Sequence, residues 1–244
     1  MMEAYGQLAV SYDFLTGDVP YGEFAQYYEK LLIQEGKENL TLLDLCCGTG
    51  TLTYLMAEKG HEMIGVDISE EMLAVAAGKN DDFKGRVKPI FLCQEAAELD
   101  LFGTVEGAYC SLDGMNYLPP EDLPELFHRL HLFIEPGGKL AFDFHSPERL
   151  RSLDGGTFVD EDDDMLCLWR AEFDEEEQAL IYGMDIFRRK GKLWEREMEE
   201  HVEFVHEPEA LLALLHECGF KDAKLLTDGP QNEMGRLYIV AVNG

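Results

Sequence analysis

The hydrophobic pattern changes its period twice along the chain. From residue 23 to about residue 147, short apolar runs alternate with stretches of helical spacing. EFAQYYEKLLIQEG (23–36) repeats its apolar residues every three or four positions and predicts a helix. TLLDLC (41–46), EMIGVDI (62–68), VKPIFLCQ (87–94), VEGAYCSL (105–112) and KLAFDFH (139–145) predict strands. TLTYLMAEKG (51–60), SEEMLAVAAG (69–78) and PPEDLPELFHRLHLFIEPGG (119–138) predict the helices between them. Ser69 offers an N-cap, and Gly60, Gly78 and Pro136-Gly137-Gly138 offer stops. Strands alternating with helices form βαβ units and a parallel sheet.

The pattern then becomes antiparallel. MLCLWRAEF, ALIYGMDIFRR and KLWEREMEEHVEFV predict three strands joined by DEEEQ and RKG turns. EPEALLALLHECG (207–219) restores the helical period, and AKLLTD and RLYIVAV close the sheet. The expected fold class is therefore α/β, a doubly wound, mostly parallel Rossmann-like sheet with a small antiparallel β insertion. Residues 1–150 and 207–244 are expected to form the sheet domain with an N-terminal helical flap, and residues 151–206 the insertion, a lid over the substrate.

Charge narrows the partners. The net charge is −29, from 20 basic and 49 acidic residues, which argues against nucleic acid because its binders gather Lys and Arg. Solubility accounts for such a charge; attraction of a cationic substrate is the alternative. No 18-residue apolar run predicts a membrane span, and the N-terminus does not read as a secretory signal. The six cysteines include no CxxC pair, so a reducing cytoplasm is expected, with neither a disulfide framework nor a zinc site. Monomer and homodimer both remain open.

The candidate chemistry starts in LLDLCCGTGTL (42–52). Gly48 and Gly50 lie between a strand and a helix, where the backbone can turn sharply and a ligand can approach closely. The stretch lacks the third glycine of a dinucleotide fingerprint, and Asp44 would repel a pyrophosphate. Asp67, at the end of EMIGVDI, is placed to accept from a ribose diol. A ribose, a cationic group and no pyrophosphate describe S-adenosylmethionine.

On these residues the chain resembles the class I S-adenosylmethionine-dependent methyltransferases. LLDLCCGTG is similar to their glycine-rich motif, with Cys46 where the first glycine usually stands, and GVDIS to their ribose-acid motif. CQEAAELDL, CSLDGMNYL and EPGGKLAFDF are similar to later motifs, and VSYDFLTGDVPYGEFAQYYEKLL resembles the start of a bacterial subfamily with an insertion after strand five. The resemblance implies that S-adenosylmethionine is the cofactor and that Asp44 steers its methionine end. It implies that Asp67 takes the ribose, that Ile68 and Met72 enclose the adenine, and that Gln94, Glu95 and Ala96 meet its edge. It further implies that Ser111 and Leu112 offer carbonyls to the ammonium and that Tyr12 covers the carboxylate. The Cys46-Cys47 pair reads as packed rather than reactive.

The acceptor, a small molecule with a nitrogen or oxygen nucleophile, is expected beside Tyr21, Asp113, Asn116, Tyr117, His145 and His201. His145, Tyr117 and Asn116 are the catalytic candidates, His145 as a general base. His128 and His131 share a helix without a third ligand, so no metal site is expected. Rival readings are a non-catalytic S-adenosylmethionine-binding module, an aminopropyltransferase of the same fold, and a nicotinamide oxidoreductase.

Overall fold

The structure is a computed structural model that describes residues 8–33 and 36–244. Its larger sheet has the order β10-β11-β5-β4-β1-β2-β3. These strands are β1 (Thr41–Leu45), β2 (Glu62–Asp67), β3 (Ile90–Cys93), β4 (Val105–Cys110), β5 (Ile134–His145), β10 (Phe220–Leu226) and β11 (Arg236–Asn243). Only β11 runs against its neighbours. β1 pairs with β2 on one side and β4 on the other, so the chain reverses its winding there. In open α/β sheets this switch point, at the carboxyl ends of the strands, is where ligands bind.

The helices α2 (Tyr21–Leu32), α3 (Thr51–Glu58), α4 (Glu70–Gly78), α5 (Leu123–Phe133) and α7 (Pro208–Glu217) cover the sheet. One core lies under α5 and α7, with Phe127, Phe142, Phe144 and Phe220 fully buried. The other lies under α2 and α3, around Tyr28, Tyr109 and Tyr238. Two expected stops are displaced. Gly78 has a right-handed backbone and the chain continues past it as a 3-10 turn, Lys79–Asp81. α5 ends five residues before the expected stop at Gly138: Phe133 is its last residue, and Ile134 already pairs with Val105, so Pro136-Gly137-Gly138 lie within the strand run.

The insertion leaves β5 through a short helix, α6 (Pro147–Ser152), capped by Ser146 at 3.1 Å from the Arg149 amide. It holds four strands, not three: β6 (Thr157–Glu161), β7 (Met165–Asp174), β8 (Ala179–Lys190) and β9 (Leu193–Phe204), in sequential antiparallel order. β6 has no buried side, so its sequence carries no alternation, and only its ladder with β7 makes it a strand. Between the two sheets lies α1 (Ala9–Leu15). Leu8, Tyr12 and Leu15 pack on Met165, Cys167, Met184 and Ile186 of the insertion. Asp13, on the same helix, accepts from Thr49 at 2.5 Å and pairs with Lys79 at 2.7 Å.

Candidate active site

After β1 the backbone enters the left-handed region three times, at Cys46 (φ 57°), Gly48 (φ 53°) and Gly50 (φ 72°). Glycine adopts this without strain, whereas cysteine does not. Cys46 thus occupies a glycine-type backbone, which is why the family motif usually has glycine there. A β-carbon on Gly50 would lie 2.9 Å from the Phe91 ring, so close packing also requires that glycine. Burial pushes the Cys47 thiol up, in keeping with a packed rather than a nucleophilic group.

Asp44 is 1% exposed. Thr53 and Tyr109 donate to its Oδ2 at 2.6 and 2.9 Å. Its Oδ1 is buried and has no hydrogen-bond partner among the described residues. Burial pushes the carboxyl up to about 7, against the pull of both hydrogen bonds. A buried acceptor with an open lone pair suits a ligand cation, and this fits the ammonium of S-adenosylmethionine.

Asp67 accepts from the Gly48 amide at 2.7 Å through Oδ2 and from the Ser69 amide at 2.9 Å through Oδ1. One carboxylate therefore ties the glycine turn to the start of α4, and each oxygen keeps a second lone pair that fits a ribose hydroxyl. Ile68 is 65% exposed beside it, whereas Met72 is 1% exposed; only Ile68 presents an open apolar face. The Gln94 amide bonds both ways to Asp100, each at 3.0 Å, and shapes the next turn. Glu95 is exposed and Ala96 is buried.

The loop after β4 is strained and braced. Ser111 is 9% exposed and its carbonyl accepts from Gly114 at 3.3 Å. Leu112 (φ 54°) and Asp113 (φ 57°) both stand in the left-handed region, at a cost of about 1–3 kcal/mol each. Their amides donate to Asp143 at 3.0 and 2.8 Å. Asp143 is fully buried and also accepts from Tyr28 at 2.6 Å and from Arg236. Gly114 completes the fit, since a β-carbon there would meet the Cys110 Sγ at 2.8 Å and the Cys46 Cβ at 3.0 Å.

Arg236 carries this network to the acceptor edge. Its Nη2 donates to Asp113 at 2.8 Å and lies 3.3 Å from His145 Nε2. The other ring nitrogen, Nδ1, is 3.2 Å from Glu203 Oε2. Burial opposes a charge on His145, but Asp113 and Glu203 outweigh it, and its pKa is raised. Asp113, His145 and Glu203 converge as metal ligands would, yet the Arg236 guanidinium already supplies the local cation.

Asn116 is buried, and both ends of its amide are engaged by backbone: Nδ2 donates to the Phe204 carbonyl at 2.9 Å and Oδ1 accepts from the His145 amide at 2.8 Å. His201 faces inward, 2% exposed, with Nε2 at 3.2 Å from Glu199 and its ring edge-on to Tyr117 at 6.0 Å. Tyr21 donates to Thr16 at 3.0 Å. Burial raises the Tyr12 pKa, aided by Tyr21, Asp113 and Asp67 and opposed by Arg236. Those groups place Tyr12 between the two halves of the site.

Four members of this site were not foreseen: Tyr28, Asp143, Glu203 and Arg236. Asp143 carried a signal, a lone acid in the apolar run KLAFDFH, the same feature that marks Asp44. Arg236 carried none, because only the register of β11, which sets it opposite His145, brings it here. Glu203 is one acid of many in EREMEEHVEF.

Residues 42–138 match the family of methyltransferase domains. A protein of Bacillus subtilis (strain 168) named as a methyltransferase, YqeM, is 32% identical over 245 residues, covering 97% of this chain and 96% of that one. The crystal structure of an S-adenosylmethionine-dependent methyltransferase from Clostridium acetobutylicum superposes with a TM-score of 0.80 at 25% identity, over 99% of this chain and all of the other. The sugar N-methyltransferase KedS8 from Streptoalloteichus shares the fold, with a TM-score of 0.78 at 19% identity over 98% of this chain and 92% of its own. No helix among the described residues is long and apolar enough to cross a membrane. On these matches, and with the glycine turn tied to Asp67 beside the buried Asp44, the chain belongs to the class I S-adenosylmethionine-dependent methyltransferases.

Proposed function

We propose that this chain methylates an amine nitrogen of a small molecule held between the carboxyl ends of β4 and β5 and the inner face of the insertion. The observation that carries this reading is the meeting of Asp113, Glu203 and His145 at that edge. Two carboxylates beside an imidazole favour an acceptor that arrives as an ammonium and loses a proton before or during attack. A hydroxyl acceptor would gain less from them. S-adenosylmethionine, when bound, supplies a methyl already activated by its sulfonium, and the breaking bond leaves its electron pair on sulfur. The nitrogen lone pair forms the new bond, and His145 Nε2 receives the proton.

The remaining work is positional. Tyr12 and the insertion close the cleft, and orientation of reactants contributes up to roughly 7–11 kcal/mol in such reactions. Among the insertion aromatics, Tyr182 is coupled to the site, its pKa raised first by burial and then by Glu203 and Asp113. Trp194 lies away from the site, 46% exposed and stacked by Arg189 at 5.1 Å. That one structural neighbour is named as a sugar N-methyltransferase supports a nitrogen acceptor.

The test is release of S-adenosylhomocysteine with matched acceptor pairs, amino sugars and polyamines against their hydroxyl analogues. Turnover of the amines alone is expected. Turnover of the hydroxyl compounds alone assigns an oxygen nucleophile instead, and release without any acceptor dependence removes the reading.

A further inference from the structure

Glu203 comes from the last strand of the insertion, 58 residues after His145 in the chain. It is 4% exposed. Nothing local in the sequence points it at His145. Asn116 does so: its amide joins the Phe204 carbonyl, next to Glu203, to the His145 backbone. A single buried side chain thus sets the end of β9 against the end of β5, with Glu203 Oε2 facing Nδ1 at 3.2 Å.

The opposite side of the ring is also defined. Arg236 Nη2, which can only donate, lies 3.3 Å from Nε2. A carboxylate at Nδ1 and a donor at Nε2 select one neutral tautomer, with the proton on Nδ1 and the lone pair on Nε2. An acceptor N–H arriving at Nε2 replaces a long hydrogen bond, while Arg236 retains Asp113 and Asp143.

We infer that Glu203 is a positioning residue for methyl transfer: the insertion is not only a cover but supplies the carboxylate that holds His145 with its Nε2 lone pair toward the acceptor. The inference rests on His145 acting as the base, and it extends that reading by making the base incomplete without the insertion. The charged groups facing His145 are Asp113 from the loop after β4, Glu203 from β9 and Arg236 from β11. Proton flow is balanced, since the proton leaving the amine goes to Nε2 and the Nδ1 proton stays hydrogen-bonded to Glu203.

The experiment needs no acceptor, so its failure is separate from failure of the amine reading. Long-range proton–nitrogen NMR of the full chain, with S-adenosylhomocysteine added and His145→Gln used for assignment, reports the tautomer directly. The neutral His145 ring is expected to carry its proton on Nδ1. In Glu203→Gln the His145 pKa should fall by about one unit, the size of one lost hydrogen bond to a charged group, while S-adenosylhomocysteine affinity stays within about twofold. A purely structural Glu203 would alter stability without moving that pKa. A wild-type ring protonated on Nε2, or an unmoved pKa in Glu203→Gln, overturns the inference. The tautomer is read on the wild-type protein, so it decides the matter even if the variant fails to fold.

Discussion

The two halves of the site are built at different ranges. On the cofactor side, Asp44, the glycine turn, Asp67 and Ser69 come from one stretch of β1, α3 and β2. Most of the hydrogen bonds that shape it span few residues, 9 from Thr53 to Asp44 and 19 from Gly48 to Asp67, and the longer one, from Tyr109 to Asp44, spans 65. On the acceptor side, Tyr28 reaches Asp143 across 115 residues and Arg236 reaches Asp113 across 123. The first half is mostly a local motif, with Tyr109 of β4 its one distant partner named here. The second exists only when α2, β5, β9 and β11 are all in register.

That contrast predicts unequal costs of damage. The largest effect is expected at Asp143. Asp143→Ala leaves Arg236 buried with one carboxylate fewer and frees the amides of the strained loop. Breaking a buried pair costs about 3–5 kcal/mol, and urea denaturation should show a loss of that order. A loss under about 1 kcal/mol would mean that Asp113 alone compensates Arg236 and that the long-range half is no more fragile than the local one.

Asp44 comes next, through pH. Its folded pKa, raised to about 7 by burial, exceeds the ordinary value near 4 of an unfolded chain. Folding therefore binds a proton, so the contribution is complete below about pH 4 and is lost as pH rises through about 7. Asp44→Asn cannot ionise. The stability difference between wild type and variant should change by up to about 1.4 kcal/mol per pH unit in that window. A constant difference would show that Asp44 is already ionised when folded.

Asp67→Ala tests the cofactor side directly. Hydrogen bonds to a charged acceptor contribute about 1.5–3 kcal/mol, so calorimetry should show S-adenosylhomocysteine bound at least about tenfold more weakly. Unchanged affinity would leave Asp67 only its backbone role of joining Gly48 to Ser69. The smallest effect belongs to Ser69, whose Oγ accepts from the Met72 amide at 3.2 Å. Ser69→Ala should lower stability by about 1 kcal/mol while affinity changes little. A larger loss of affinity than in Asp67→Ala would reverse the assignment of roles between these neighbours.

The sequence by itself determined the periods that make the strands and helices, the glycine turn, and the acids Asp44 and Asp67. Each is encoded within a few residues: a change of hydrophobic period, a residue free to take a positive φ, a carboxylate interrupting an apolar strand. The same logic would have marked Asp143. It could not mark β6, whose side chains are all exposed, nor the Cys46 backbone, since φ is set by the turn and not by the side chain. Tertiary structure alone decided that Arg236 stands opposite His145, that Asn116 ties β9 to β5, and that Glu203 faces Nδ1. Register fixes these contacts, and register comes from burying whole faces of two sheets, a condition that no single stretch of this chain contains.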